Sequence, residues 1–458
     1  MEQMRKRILE KLFGLPAEML EKGVEVGEEI GRELGKEKPV RAVKEYWKTL
    51  GPGLTTGAAD DDPSGIATYS QMGASRGYGM LWLAAFTFPL MGVVQEMCAR
   101  IGLATGAGLA ANIRKLFPRR VLYICASLLV FANVFNIGAD LGAMSQATQL
   151  LFPNAPFPFL VIAFALFSLT LQIFVPYKVY SKYLKYLTLI LFTYIISALA
   201  MNLDWGEIIY NAAIPHISFS KQEIILLCAA LGTTISPYLF FWQTSQEVEE
   251  QIDHGENTEA LRRASTTTGD IKKMRIDVWS GMFISNLVMF FIIVACAAAL
   301  NGSGITDIRT AADAAQALRP FAGDLSYFLF TAGILGTGLL AIPVLAGSAS
   351  YALSESLGFR FGLYRKLREA TAFYGIIMLS MFAGIALNFI GLDPIKALIY
   401  SAVLNGLIAP IIIFFILRIA VNKKVMGNWV NSAISTWLGW LIFALMASVG
   451  VATLLFIF

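Results

Sequence analysis

One apolar stretch near the start of the chain is interrupted by charge in its middle: residues 50–69 read LGPGLTTGAADDDPSGIATY. Its two ends have the composition of a membrane helix, whereas Asp60, Asp61 and Asp62 stand together directly before Pro63. A charge at the centre of a bilayer costs about 2.5–3.5 kcal/mol on insertion scales. Proline also removes a backbone donor from a helix. We therefore expect the helix to open here and its carboxylates to face a polar cavity, where unwound backbone is tolerated.

The alternative interpretation is an exposed acidic loop between two shorter apolar segments. In that case neither flank reaches the roughly 20 residues that a helix needs to cross a bilayer. The composition favours the membrane interpretation, because 56% of the 458 residues are hydrophobic and 15% are charged. Soluble domains average about 25% charged residues. The sequence thus predicts an all-α polytopic membrane protein.

Ten further apolar runs follow the broken segment, so the sequence predicts eleven transmembrane helices. The runs are 78–105, 121–151, 157–177, 183–203, 222–246, 276–300, 325–353, 371–392, 395–418 and 433–458. Basic residues are concentrated in alternate loops, at 114–120, 178–185, 262–275, 360–368 and 418–424. By the positive-inside rule, this alternation predicts a plasma-membrane protein with a cytosolic N-terminus and an extracytoplasmic C-terminus.

A second interruption lies in the sixth run, where residues 231–238 read LGTTISPY. Paired interruptions in the two halves of a membrane protein indicate an inverted-repeat transporter with its site between the broken helices. The predicted divisions are a first repeat of helices 1–5 at 49–205, a second repeat of helices 6–10 at 206–420 and an additional helix 11 at 421–458. Residues 1–48 combine balanced charge with apolar residues at helical spacing, which predicts a cytosolic amphipathic segment.

Other classes of function find little support in the sequence. The chain has two histidines, and its four cysteines are scattered singly, at Cys98, Cys125, Cys228 and Cys296. This pattern suggests neither a zinc site nor a disulfide framework. The sequence contains no metalloprotease motif, nucleophile elbow or phosphate loop, and the loop at 247–273 is too short for a catalytic domain. We therefore expect no enzyme activity, no cofactor and no nucleic-acid partner; the bilayer is the expected surrounding, and the oligomeric state stays open.

The residues at both breaks resemble the Nramp family of divalent-metal transporters. That family has Asp-Pro-Gly-Asn in helix one and Met-Pro-His in helix six, where this chain has DPSG at 62–65 and SPY at 236–238. Helix two of the family is similar to QEMCARIGLATG at 95–106. The resemblance covers nearly the whole chain after residue 48. It implies the LeuT-type fold of five plus five helices, with helices 1 and 6 broken, and import of a divalent cation.

The resemblance also implies a set of metal-site residues. The family's ligands are an Asp and an Asn of helix one, a Met of helix six and backbone carbonyls near each break. Carried over by position, with Asp61 as added negative charge and Asn405 as a polar residue of helix ten, the predicted metal-site residues are Asp62, Asp61, Ala59, Gly65, Thr233, Ser236 and Asn405. The carbonyl oxygens of Ala59 and Thr233, rather than their side chains, are the expected ligands.

Two of these positions depart from the family pattern. Gly65 stands where the family has its Asn ligand, and Ser236 stands where it has its Met. Soft sulfur favours transition metals, whereas oxygen ligands and water suit magnesium, calcium or manganese. Magnesium also loses its hydration water reluctantly. The pattern resembles a divergent branch of Nramp-related magnesium transporters, so we expect Mg²⁺ as the favoured substrate and Mn²⁺ as a second one.

Proton coupling in the family is linked to acidic residues of helix three and histidines of helix six. The counterparts here are Asn136, Ala139, Tyr238 and Gln243, none of which titrates near neutral pH; Asp140 lies one helical turn from Asn136. We therefore expect transport without strong proton coupling. One alternative is a proton-coupled Mn²⁺/Fe²⁺ transporter that uses Asp62 or Asp140. Another is a sodium-coupled amino-acid symporter of the same fold, although three aspartates at the break oppose a substrate carboxylate.

Overall fold

The computed structural model describes Tyr46 and residues 50–175, 192–319 and 323–457, and every regular element in these residues is helical. The chain forms two compact units, Met1–Leu50 and Gly51–Phe458. In the first unit the described residues are Tyr46, which is helical and exposed, and Leu50, which is buried. The predicted amphipathic segment 1–48 therefore lies outside the described residues, apart from Tyr46.

The first apolar segment of the second unit forms two half-helices, α1 (Pro52–Asp60) and α2 (Pro63–Arg76). Both begin with proline, which suits the first helical position because the amide hydrogen there has no partner in the helix. Asp62 is the N-cap of α2, and its carboxylate accepts a hydrogen bond from the amide of Gly65 at 2.7 Å. Caps of this kind stabilise a helix by about 1 kcal/mol. The predicted break at Asp62-Pro63 is confirmed.

Within the described residues, five α-helices follow in the first half of the second unit. They are α3 (Trp82–Thr105), α4 (Leu109–Leu116), α5 (Arg119–Leu151), α6 (Phe157–Phe174) and α7 (Phe192–Leu199). Helices α3, α5 and α6 agree with the predicted spans two, three and four to within a few residues. Helix α7 belongs to the predicted fifth span, of which residues 183–191 lie outside the described part of the chain.

The sixth apolar run is also divided. After the short α8 (Trp205–Ala213) it forms α9 (Lys221–Thr234) and α10 (Pro237–Asp253), with Ser236 as the N-cap of α10. The predicted second break is thus confirmed. The remaining α-helices in the part of the chain that the structure describes are α11 (Glu259–Ser265), α12 (Thr268–Ala299), α13 (Ala311–Ala315), α14 (Ser326–Leu357), α15 (Thr371–Leu387), α16 (Pro394–Ala420), α17 (Lys423–Met426) and α18 (Ala433–Ile457).

Eight helical segments of the described residues are long and apolar enough to cross a membrane, and α15 is a shorter apolar helix. Neither α1 nor α2 spans a bilayer alone, so the total of eleven stays a prediction. The segment Lys221–Asp253 contains the second break, and 94% of its 18-residue apolar stretch is buried, compared with 22% for the corresponding stretch of α18. The broken sixth helix is therefore at the centre of the protein, and α18 exposes most of its apolar surface.

Small residues bring the first half-helix close to α12. A Cβ atom added to Gly53 would lie 2.5 Å from the backbone nitrogen of Val278, and one added to Gly57 would overlap the backbone of Gly281. Close approach through small residues is the usual basis of helix packing in membranes, where van der Waals contact replaces the hydrophobic effect. Helix α1 therefore lies against α12 with backbone nearly in contact.

Asp277 of α12 caps the start of α1. Its carboxylate accepts hydrogen bonds from the amides of Gly51 at 2.7 Å, Gly53 at 2.7 Å and Leu54 at 3.1 Å. The first amides of a helix have no partner within the helix, and a negative charge at this end is also favoured by the helix dipole. One buried carboxylate from another helix thus satisfies the amides that begin α1.

Candidate metal site

The two breaks face each other at the centre of the protein. The hydroxyl of Tyr238, in the first turn of α10, donates to the carbonyl oxygen of Ala59 in α1 at 2.8 Å and lies 3.4 Å from the carboxylate of Asp62. The hydroxyl oxygens of Ser64 in α2 and Thr233 in α9 are 3.5 Å apart. The structure therefore brings the predicted ligands of helix one and helix six into one polar region.

Asp62 lies at the centre of this region and is 1% exposed. Its Oδ1 accepts hydrogen bonds from the hydroxyl of Ser64 at 2.6 Å and the amide of Gly65 at 2.7 Å. Its Oδ2 accepts from the side-chain amide of Asn136 at 2.9 Å, with the Tyr238 hydroxyl beyond. All four groups are neutral, and no lysine or arginine of the described residues forms a salt bridge with Asp62. The site is thus built around a carboxylate without a basic partner.

At each break, a proline stands where one backbone carbonyl would find its helical donor. In an α-helix the carbonyl of residue i accepts from the amide of residue i+4, and proline has no amide hydrogen. The residue four positions after Ala59 is Pro63, and the one four positions after Thr233 is Pro237. The two carbonyls predicted as metal ligands are therefore those that the two prolines exclude from the helical hydrogen-bond pattern.

Hydroxyl groups take the place of the missing amides. Tyr238 donates to Ala59, as described above, and the single hydroxyl hydrogen of Ser236 lies between the carbonyls of Thr233, 2.7 Å from its Oγ, and Gly232, at 2.8 Å. The hydroxyl hydrogen of Ser236 thus points back toward the end of α9, and its oxygen retains acceptor capacity. Both carbonyls are satisfied in this structure by donors that a bound cation would have to displace or reorient.

Gly65 contributes its backbone rather than a side chain. Its amide binds Asp62, and a Cβ atom added to it would lie 3.1 Å from the carbonyl oxygen of Asp60 and 3.2 Å from the hydroxyl of Thr233. A larger residue here would have to displace these neighbours by a few tenths of an ångström. Because position 65 has no side chain, the first turn of α2 can lie close to Asp60 and to Thr233 of α9.

Asp60 and Asp61 are both fully buried but have different surroundings. Asp60 accepts a hydrogen bond from Ser285 of α12 at 2.8 Å, whereas neither oxygen of Asp61 has a hydrogen-bond partner within the described part of the chain. The described residues contain no group of three or more His, Cys, Asp or Glu side chains arranged to hold a metal. The role of Asp61 as added negative charge at the site stays a prediction.

Asn405 and Asp140 are also buried near the centre of the membrane-spanning helices. The Oδ1 of Asn405, in α16, and both carboxylate oxygens of Asp140, in α5, have no hydrogen-bond partner among the described residues. The hydrogen bonds of the structure do not join Asn405 to Asp62, and its role as a ligand stays a prediction.

Sequence reasoning missed the support of Asp62 by Asn136 and Ser401. The amide nitrogen of Asn136 binds Asp62, and its amide oxygen accepts from the hydroxyl of Ser401 in α16 at 2.7 Å. An amide in the middle of the apolar third run was a visible signal, because polar residues within membrane helices usually face the interior of the bundle. The sequence did not show that Asn136 and Ser401 meet.

Comparisons with known proteins identify the family of the chain. The sequence profile of the family described as Nramp, natural resistance-associated macrophage protein-like, matches residues 53–456. A protein named divalent metal cation transporter MntH from Caldanaerobacter subterraneus subsp. tengcongensis is 24% identical over 408 residues, which are 87% of this chain and 91% of that protein. A protein of the same name from Yersinia enterocolitica is 26% identical over 403 residues, which are 86% and 91% of the two chains.

Among solved structures, the fold is similar to that of the Eremococcus coleocola manganese transporter crystallised with an aromatic bis-isothiourea substituted compound. The TM-score is 0.70 at 20% identity, and the match covers 90% of this chain and 87% of that chain. This likeness supports the predicted LeuT-type arrangement with two broken helices. Since the family profile extends over most of the sequence, the chain belongs to the Nramp family, whose members are membrane transporters and not enzymes.

Proposed function

We propose that the chain imports a hard divalent cation across the plasma membrane by alternating access, with Mg²⁺ favoured and Mn²⁺ also carried. The surroundings of Asp62 carry this proposal, because a single carboxylate lies among neutral oxygen and nitrogen groups between two opened helices. The relatives named as divalent metal cation transporters support the class of ion. The ion is the substrate of the transporter and not a resident cofactor.

The charge of the region supports a cationic substrate. Asp60, Asp61 and Asp62 are buried, and no lysine or arginine of the described residues forms a salt bridge with any of them. Buried charges without partners are strongly unfavourable, and a divalent cation would compensate part of this charge. A substrate carboxylate would instead be repelled, which argues against the amino-acid symporter.

The donor atoms support a hard ion within the divalent class. Asp62, the carbonyls of Ala59 and Thr233 and the hydroxyls around them are all oxygen donors, and Ser236 replaces the family's thioether. Oxygen ligands suit Mg²⁺ and Mn²⁺. Mg²⁺ usually keeps several water molecules when it binds to proteins, so few direct ligands from the protein suffice.

The driving force follows from the charge of the ion. A membrane potential of 100 mV is worth about 2.3 kcal/mol per elementary charge, and therefore about twice that for a divalent cation moving inward. The residues at the family's coupling positions, Asn136, Tyr238 and Gln243, do not exchange protons near neutral pH. We infer that the membrane potential and the cation gradient drive uptake without strong proton coupling, with the N-terminus in the cytosol and the C-terminus outside.

A second candidate is proton-coupled transport of Mn²⁺ or Fe²⁺. The observation in its favour is Asp140, a fully buried carboxylate of α5 whose oxygens have no hydrogen-bond partner among the described residues. A manganese transporter among the similar structures is consistent with Mn²⁺ as a substrate of this fold.

Uptake into proteoliposomes with an internal metal dye and an internal pH dye tests the two candidates. The proposal expects Mg²⁺ influx that an inside-negative potential accelerates, competition by Mn²⁺ more than by Cd²⁺, and no acidification of the lumen. The variant Asp140→Asn should then leave uptake unchanged. Robust acidification that accompanies metal influx and is lost in Asp140→Asn would establish the second candidate instead.

A further inference from the structure

We propose that the hydroxyl of Tyr238 competes with the transported cation for the carbonyl oxygen of Ala59. The hydroxyl donates a hydrogen bond to this carbonyl before the ion binds, and the hydrogen bond forms again when the ion is released. This inference rests on the proposed function, because it requires the Ala59 carbonyl to be a cation ligand. Tyr238 is a positioning residue in this scheme, since it acts on the ion through the carbonyl and not as a ligand itself.

The first step is the position of the hydroxyl. Tyr238 follows Pro237 at the start of α10, and its side chain is fully buried. Its oxygen lies 2.8 Å from the carbonyl oxygen of Ala59 and 3.4 Å from Oδ2 of Asp62. A phenolic hydroxyl has one hydrogen to donate, and the shorter distance assigns it to Ala59. The hydrogen thus lies beside two oxygen atoms that the cation must reach.

The second step is the reason that the carbonyl needs a donor. Pro63 has no amide hydrogen, so it cannot provide the helical hydrogen bond to Ala59. A buried carbonyl without a partner is costly, and nearly all such groups are paired in folded proteins. The donor comes from the other broken helix, whereas Thr233 receives its donor from Ser236 of the adjacent turn. The Tyr238 contact therefore joins the two breaks across the site.

The third step is the competition itself. A carbonyl oxygen has two lone pairs, but a divalent cation and the positive end of an O–H group repel each other at the same oxygen. Cation binding must therefore turn the Tyr238 hydroxyl away from Ala59, and the lost hydrogen bond weakens the apparent affinity. Reformation of the hydrogen bond favours release in turn. From the net strength of one hydrogen bond, the effect on affinity is about 2- to 10-fold.

The variant Tyr238→Phe tests this competition, because it removes the hydroxyl and keeps the ring. We expect Mn²⁺ to bind about 2- to 10-fold more tightly in calorimetric titrations, and Mn²⁺ uptake to show a lower KM together with a lower maximal rate. If Tyr238 had only a structural role, its replacement would not lower KM and the maximal rate together. Weaker or unchanged Mn²⁺ binding in Tyr238→Phe would overturn the inference.

Tyr69→Phe is a matched control. The Tyr69 side chain is also fully buried, but its hydroxyl lies 3.0 Å from the side-chain hydroxyl of Thr234 and not against a carbonyl left free by proline. We expect its Mn²⁺ affinity to equal that of the wild type. Tighter binding in both variants would overturn the inference, because a general loosening of the core would then account for it.

A spectroscopic measurement follows the hydroxyl directly. Addition of Mn²⁺ to the wild type should change the ultraviolet absorbance of a tyrosine that loses its carbonyl partner, and Tyr238→Phe should lack this change. If Tyr238→Phe does not fold, absence of the change in the wild type overturns the inference. Wild-type protein that binds no divalent cation would overturn the proposed function as well, whereas normal wild-type binding with no effect of Tyr238→Phe would overturn this inference alone.

Discussion

The side-chain amide of Asn136 donates a hydrogen bond to Oδ2 of Asp62 at 2.9 Å, and its own oxygen accepts one from Ser401 at 2.7 Å. The charge of Asp62 determines which end of the amide faces it, because a carbonyl oxygen turned toward the carboxylate would be repelled, and the Ser401 hydroxyl donates to the other end. Helices α5 and α16 thus cooperate to hold one oxygen of the site in place.

Replacement of Asn136 by Ala should raise the KM for Mn²⁺ about 10- to 150-fold. Hydrogen bonds to charged groups contribute about 1.5–3 kcal/mol, of which 1.4 kcal/mol corresponds to a factor of ten. Ser401→Ala should have a smaller effect in the same direction, since it acts only through the orientation of Asn136. Uptake kinetics of both variants check the order, and a larger effect of Ser401→Ala would contradict the arrangement.

Replacement of Asp62 by Ala should abolish transport while the protein still folds, because a buried carboxylate is costly in place. A ligand that binds only the native state raises the melting temperature, so Mn²⁺ should stabilise the wild type and leave Asp62→Ala unaffected in a thermal melt. Asp62→Asn removes the charge but keeps the size of the side chain, so it separates the loss of charge from the loss of volume. A Mn²⁺-dependent shift that persists in both variants would remove Asp62 from the site.

Replacement of Pro63 by Ala should weaken Mn²⁺ binding, the opposite of the effect expected for Tyr238→Phe. The new amide at position 63 can donate to the carbonyl of Ala59, which closes the break and withdraws a cation ligand. Calorimetric titration measures the change, and Pro52→Ala, at the start of α1 and away from the break, is the control. Unchanged Mn²⁺ affinity in Pro63→Ala would indicate that the Ala59 carbonyl does not bind the ion.

Replacement of Ser236 by Met should shift the selectivity from Mg²⁺ and Mn²⁺ toward Cd²⁺, since a thioether is a soft ligand. Ser236→Ala removes the hydroxyl without adding sulfur and separates the two effects. Competition of Cd²⁺ against Mn²⁺ uptake is the measurement. Equal competition in the wild type and Ser236→Met would show that position 236 does not face the ion.

Both breaks were predictable because their cause is local: Pro63 and Pro237 are visible in the sequence, and each excludes one carbonyl from helical pairing. The partners of Asp62 were not predictable, because Asn136 and Ser401 come from helices distant in sequence and meet only after the bundle has packed. The orientation of the Ser236 hydroxyl, back toward Thr233, is also a result of the local turn and not of residue type. Likewise, the buried position of Asp60 against Ser285 depends on the approach of α12.

The cap on α1 has a consequence for the transport cycle. Because Asp277 receives the amides of Gly51, Gly53 and Leu54, a tilt of α1 away from α12 must exchange three hydrogen bonds for contacts with water. Asp277 thus holds α1 at the end remote from the ion, and any tilt of the half-helix would have to turn about the unwound residues beside Asp62. A carboxylate that never meets the cargo would then contribute to the energetic cost of changing from one face of the membrane to the other.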